Sequence, residues 1–457
     1  MEVEVVSREI IRPSSPKPSQ LGTIKLSLLD QLSPPIYVPI IFFYPMKDGN
    51  LLKIKQLLTQ LKHSLSKTLS QFFPLSGRII DNFSVKCNDA GVLFSEAQIS
   101  CNFFEFLKKP KIDLLDKFLP CPQYCTVPAV DTAIQIAIQV NIFAAGSGIA
   151  IGVCFFHKTI DGATMASFLK CWSAIASGCY DKAICPDYTT ASQLFPPREA
   201  LESLFKGRFT TKGKGVRRRF VFDANAIAAL KGIVTSRDLL RKPSSVTVVS
   251  GFIWKCVMAA ASKVALGSKQ TSILAFAVDM RPRMVPPLKL NCTGNMVWQA
   301  IASFNRAHPP SSKETELSDL VSLLREAVAK IDGEYTKNLQ GDEGLRAMSI
   351  YREEVEGMFS KDHDAITSYM FSSWCNFGFN EVDFGWGKPI WVSNIGGNGS
   401  SAFVNLVILM ENECRGIEAW ILLDENGMAI LESDPEFLRF ASSNPSVNVH
   451  AMDSFDS

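Results

Sequence analysis

Two α/β halves of similar size, each layering mixed β-strands with helices, are the fold class this chain predicts. Three features lead there: a length of 457 residues, a composition 47% hydrophobic and 20% charged, and strand and helix patterns on both sides of an irregular middle. At roughly 150 residues per domain the length allows two or three core-forming units. The apolar share is ample for packed cores and argues against disorder. Lys and Arg number 47 against 45 Asp and Glu, a net charge of +2. That balance gives no broad attraction to nucleic acid or to an anionic membrane, so any anionic ligand must be met by local basic groups.

The elements follow in order. Residues 1–6 carry neither a basic nor an apolar leader segment, so no signal peptide is expected and the chain is placed in the cytosol. Residues 12–20 form a Pro- and Ser-rich lead-in. The apolar run 36–44 is interrupted by Pro39 and is too short to span a bilayer. Residues 51–72 show amphipathic helix spacing, and a turn at 88–91 precedes a strand at 92–94. Buried strands are predicted at 133–140 and 148–156. A helix follows at 161–177, with Met165, Phe168, Leu169 and Trp172 on one face.

The stretch 185–197 is irregular and 206–219 is basic, which sets a boundary near 190–218. The halves are therefore 1–195 and 219–457, joined by a crossover at 196–218. The second half shows helices at 250–266 and 314–331 and strands at 219–223, 272–279, 402–410 and 416–423. The 12 cysteines are scattered without a zinc-type spacing and are expected reduced and mostly buried.

Of the five histidines, His63, His308, His363 and His450 lie in polar surroundings and are expected to be solvated. His157 ends the apolar run 148–156 and precedes Asp161 and Gly162 at a helix start. A polar residue where a strand gives way to a helix stands at the mouth of a cleft, and Asp161 suits an N-cap. The structural alternative is a buried histidine bonded to a carbonyl, with Asp161 only a cap. A metal site at His157 and Asp161 lacks a third ligand, so no metal is expected.

His157-Lys158-Thr159-Ile160-Asp161-Gly162 resembles the His-x-x-x-Asp-Gly motif of the BAHD acyltransferases, plant enzymes that use acyl-CoA donors. Asp383-Phe384-Gly385-Trp386-Gly387 resembles the second family signature, in the same C-terminal position. Further similarity runs through 26–30, 73–78, 87–92, 253–255, 281–287, Gly294-Asn295, 372–374 and 416–420, nearly the whole chain. It is strongest to the branch that acetylates alkaloid alcohols.

The resemblance implies two chloramphenicol acetyltransferase-like domains with the reaction channel between them, and a segment near 380–400 that packs with the first. It implies acyl-CoA as co-substrate with no permanently bound cofactor, a small-molecule alcohol acceptor and a monomer. His157 becomes the general base, since a neutral imidazole can take the hydroxyl proton at cytosolic pH. Asp161 is implied to be structural, paired with Arg281 or Arg283. Trp374, or the Ser373 hydroxyl, is the candidate oxyanion donor, with a core aromatic as the alternative for Trp374. Ser250, Lys255 and Arg283 are candidate contacts for coenzyme A, and Arg217-Arg218-Arg219 is either a further contact or a solvated linker. Arg281, Asp383, Phe384, Gly385, Trp386 and Gly387 are scaffold. Malonyl-transferring relatives tend to carry Tyr-Phe-Gly-Asn-Cys where this chain has Cys292-Thr293-Gly294-Asn295-Met296, which favours a neutral donor such as acetyl-CoA. A catalytically inactive binding relative is the competing reading.

Overall fold

Strands buried on both faces read as continuous apolar runs, and Gly148–Phe156 is buried at every position. The computed structural model describes residues 1–16, 22–46, 50–120, 133–199, 209–235, 242–265, 271–305, 316–359, 366–394 and 402–447. Gly148–Phe156 sits inside a six-stranded sheet ordered Val3–Ile11, Val92–Ile99, Ile136–Phe143, Gly148–Phe156, Tyr37–Pro45 and Trp391–Ser393. The last of these comes from the far end of the sequence, so the second half of the chain completes the first sheet.

Pro39 is accommodated inside Tyr37–Pro45 by an edge. Phe43 O accepts from Ile390 N on the side facing Trp391–Ser393, and that partner strand pairs only with residues 41–43. Amides two residues apart along an antiparallel strand face the same side, so the donor that Pro39 lacks is missing where, among the described residues, no strand pairs.

The second sheet is seven-stranded, ordered Val297–Asn305, Thr271–Asp279, Ile366–Ser373, Leu406–Glu411, Ile417–Asp424, Gly215–Phe222 and Ser442–Ser443. Leu51–Gln71 packs with Gly162–Ala176 on the first sheet, where Trp172 Nε1 donates to Leu61 O (3.2 Å) and Ser64 Oγ (3.1 Å). Ser245–Val264 packs with Leu317–Ala329 on the second. Ser245–Val264 is long and apolar enough to cross a membrane. Val248, Phe252, Ile253, Trp254 and Val257 are nevertheless buried within the protein core.

Two expectations are corrected. The crossover does not run free to residue 218: Thr210–Lys212 pairs with Ala402–Val404, and Gly215 opens a strand of the second sheet. Nor is the arginine run a solvated linker or a ligand contact. Arg217 and Arg219 are buried, and Arg218 pairs with Glu432 at 2.8 Å. Arg219 Nη2 and Nε donate to Glu418 Oε1 (2.6 Å) and Oε2 (2.9 Å), while Trp391 Nε1 also donates to Oε2 (3.2 Å). Two of the three arginines thus face inward and the middle one outward, because a strand sends alternate side chains to opposite faces. The region 402–410 also divides, into Ala402–Val404 and Leu406–Glu411.

Glu418→Ala leaves Arg219 buried without its carboxylate. Breaking such a pair costs about 3–5 kcal/mol, to be read as a lowered denaturant midpoint; a loss below about 1 kcal/mol would mean the guanidinium finds water.

Candidate active site

A strand that ends at Phe156 and a helix that begins at Gly162 leave five residues to turn the chain. His157 N donates to Ile36 O (2.8 Å), holding the turn to the neighbouring strand entrance. Asp161 caps the helix, its Oδ1 accepting from Thr164 N at 2.8 Å. A Cβ at Gly162 would lie 2.7 Å from Cε2 of Phe377 in the loop that follows Trp374, so that ring would have to shift.

Asp161 is buried and fully occupied. Its Oδ2 accepts from Arg281 Nη1 (2.8 Å) and Met296 N (3.0 Å), and its Oδ1 accepts from Arg281 Nη2 (3.2 Å) as well as Thr164 N. A carboxylate has about four acceptor sites, so none is left to orient an imidazole. Burial pushes this carboxyl upward in pKa, but the Arg281 charge and the four donors outweigh it and hold the group below the usual carboxylate range. Arg281 also donates to Asp279 Oδ1, Cys292 O and Gly294 O. Arg281, not Arg283, is therefore the arginine paired with Asp161.

A second buried carboxylate completes the frame. Asp30 accepts from Ser27 N and Oγ (2.9 and 2.7 Å) and from Asn295 N and Nδ2 (2.8 and 2.9 Å). Burial raises its pKa against those four bonds. Asn295 Nδ2 also donates to His157 O at 2.9 Å, tying the His157 backbone to the second half of the chain. Gly294 fits here because φ is +101° and a Cβ would meet Asp30 Oδ2 at 3.3 Å.

No Asp161 oxygen is left to hold the imidazole itself. His157 is partly exposed as a residue, while its Nδ1 is buried with no hydrogen-bond partner of good geometry. Burial lowers its pKa. Its own carbonyl, the Asp161 charge, the Asn295 side chain and the Ile160 backbone oppose this but do not prevail.

The remaining sequence candidates are placed as follows. Trp374 is buried, its N donates to Leu409 O (2.7 Å), and its ring lies 5.8 Å from Phe379. Ser373 ends the strand before it, half-buried. Lys255 is paired with Glu436 at 2.6 Å, and Arg283 Nη1 donates to Val328 O and Ile331 O at a helix end. Both are thus committed elsewhere than an open phosphate site. Ser250 is fully buried with Oγ unpartnered. Cys154 is buried in its strand, and His63 is exposed. His308, His363 and His450 lie outside the described residues. Among the described residues no three His, Cys, Asp or Glu side chains are grouped to hold a metal.

Asp383 sits away from the imidazole. Its Oδ1 accepts from Gly385 N (2.7 Å) and Gly387 N (2.9 Å), both glycines at positive φ. Phe384 packs against Trp172 at 4.7 Å, ten residues along the helix from Gly162, about 15 Å at the helical rise. Asn295 and Asp30 had no assigned role in the sequence reading. The Ser27-x-x-Asp30 capping box was the available signal for Asp30.

An imidazole at a strand end, framed by carboxylates that cannot serve it, suits proton transfer to and from a bound substrate, as acyl transfer requires. A model of the transferase family matches residues 1–438. Limonoid 7-O-acetyltransferase of Citrus sinensis is 40% identical over 97% of this chain and 99% of its own. Stemmadenine O-acetyltransferase of Catharanthus roseus is 37% identical over 95% and 97%. The crystal structure of vinorine synthase superposes with a TM-score of 0.79 at 30% identity, over 96% of this chain and 99% of that one. TRI101 of F. graminearum, complexed with coenzyme A and deoxynivalenol, shares the fold at a TM-score of 0.66 and 17% identity, over 92% and 99%. The chain is an acyltransferase. It belongs to the BAHD transferase family.

Asp161→Asn removes the charge that Arg281 faces. Because the Asp161 pKa is depressed in the folded state, its stabilisation is present above the unfolded value near 3.9 and lost as pH falls through the folded value. The variant should be less stable than wild type at neutral pH, with the gap narrowing below about pH 4, in urea titrations at both pH values. A gap independent of pH would contradict this.

Proposed function

We propose that this chain transfers an acyl group, most simply acetyl, from coenzyme A to a hydroxyl of a polycyclic plant metabolite, with His157 as general base. The observation that carries the reading is the His157 Nδ1 without a hydrogen-bond partner of good geometry beside a saturated Asp161. Relatives whose names specify O-acetylation of stemmadenine and of limonoids support the donor and the acceptor class.

In the first step Nε2 takes the proton from the acceptor hydroxyl as its oxygen attacks the thioester carbonyl. The resulting oxyanion needs a donor, a role we give to the Trp374 indole N–H with the Ser373 hydroxyl beside it. As the intermediate collapses, the C–S bond breaks and the imidazolium returns its proton to the leaving thiolate, so the protein ends unchanged. No serine or cysteine is acylated. The lowered His157 pKa keeps the ring neutral and able to accept a proton across the physiological range. Asp161 shapes the loop rather than polarising the ring, unlike the carboxylate of a serine-protease triad.

His157→Ala should lose on the order of 10² to 10⁴ in kcat while the protein stays folded, read as thiol release from acetyl-CoA in the presence of alcohols. Equal turnover by variant and wild type would end the general-base assignment. In wild type, kcat/KM should rise with pH along an acid limb whose midpoint lies below about 6.5, the ordinary histidine value. An acid limb at or above that value would contradict the burial that sets it.

A further inference from the structure

The two faces of the second sheet are not equivalent. On Val297–Asn305, Trp298, Ala300 and Ala302 are buried against the helices, while Val297, Gln299 and Ile301 on the other face keep partial exposure. Ile366–Ser373 alternates in the same way, with Ser368, Met370 and Ser372 on the half-open face. That face turns toward the first half of the chain. Trp374, Ile408, Met410 and Trp420 lie on it or continue it, and all pack in the core of the first sheet.

The register orders its rows. Asn295, which holds the His157 carbonyl, stands just before Val297. Gln299 pairs across to Ala277, and Ile301 pairs to Ala275, which pairs in turn to Met370. Continuing the parallel register puts Ser372 beside Ala277. The row Gln299–Ala277–Ser372 therefore lies four residues beyond Asn295, roughly 13 Å at the rise of a strand.

The next row is covered. Ala275 and Ile273 are buried with Phe209, Val355 and Phe359, and Ile301 and Met370 pack onto the same cluster. Among the described residues the half-open face thus runs from the His157 loop to an apolar stop. Midway the side chains of Ala277 and Ser372 are small, and Gln299 Oε1 is buried with no hydrogen-bond partner. An orphaned buried acceptor is costly unless something donates to it. A face that ends against a plug suits a compact acceptor better than the pantetheine arm, whose far end carries a nucleotide that must reach solvent.

Resting on the acyltransfer reading above, we propose that Gln299 determines acceptor specificity by accepting a hydrogen bond from a second donor, a hydroxyl or a protonated amine. The acceptor carries this donor at the end of a rigid polycycle remote from the acylated hydroxyl. Val297, on the His157 side of Gln299, lies along the polycycle, Ile301 and Met370 belong to the apolar stop beyond it, and Gln299 reads the polar far end.

The test uses the full chain, acetyl-CoA and a panel of alkaloid, limonoid and steroid alcohols. Each is paired with an analogue whose remote hydroxyl is O-methylated or whose remote amine is quaternised. Wild type should prefer the donor-bearing member, and Gln299→Leu should lower kcat/KM for that member by about tenfold or more. The paired analogue and the KM for acetyl-CoA should be almost unaffected, which a merely structural role would not produce. Gln299→Glu should retain the preference, more strongly for amines than for hydroxyls if an ammonium is the donor. Equal effects of Gln299→Leu on both members of each pair, or no wild-type preference, would overturn the proposal while leaving acyl transfer intact. Absence of any acetylated alcohol with wild type would instead sink the acyltransfer reading and this inference with it.

Discussion

A single buried contact, the Asp161–Arg281 ion pair, decides how the two halves of this chain meet and what His157 is free to do. Removing two charges from water costs several kcal/mol per ion before the pair attracts, so the contact is poorly explained as a source of stability. Its value lies in direction. The Arg281 fork fixes both oxygens of Asp161, while the other guanidinium donors hold the backbone at Cys292 and Gly294. One side chain thus fixes the helix cap of the first half against the loop of the second. The carboxylate nearest the His157 ring along the chain is thereby withdrawn from it.

The same device recurs. Asp30 receives four bonds, two from its own helix cap and two from Asn295 across the interface. Glu418 receives three, two from Arg219 in its own sheet and one from Trp391, the strand that completes the other sheet. Trp391 then stacks on Phe43 at 4.8 Å and lies 6.2 Å from Trp420. Apolar packing between halves is tolerant of small shifts, whereas a carboxylate with every lone pair assigned admits one arrangement. Asp161 and Asp30, each with four bonds, and Glu418 with three together fix the relative placement of the sheets, and the His157 loop inherits that definition through the His157 carbonyl.

Much of this was legible in the sequence, for local reasons. The strand at 148–156 and the helix capped by Asp161 follow from an apolar run, a cap residue and periodicity, and the structure places them at Gly148–Phe156 and Gly162–Ala176. The motif that singled out His157 and Asp161 lies within one turn of chain. What escaped depends on pairing across long separations. The choice of Arg281 over Arg283 turns on which of two neighbouring guanidinium groups faces inward. Arg217 and Arg219 looked solvated because nothing nearby in the chain announces Glu418. Lys255 looked available because Glu436 is distant in sequence and adjacent in space. Asn295 lay inside a quoted segment, but its tie to a backbone carbonyl carries no residue-type signature.

The account stands or falls on the protonation of one ring. The most direct measurement is an NMR titration of the His157 imidazole in the intact protein, assigned by comparison with His157→Ala and set beside the pH dependence of acyl transfer. A general base whose ring is buried beside a saturated carboxylate should titrate below the ordinary histidine value of about 6.5, at the same midpoint as the acid limb of kcat/KM for the free enzyme. A midpoint clearly separated from that limb would show that another group governs the reaction and would contradict the mechanism.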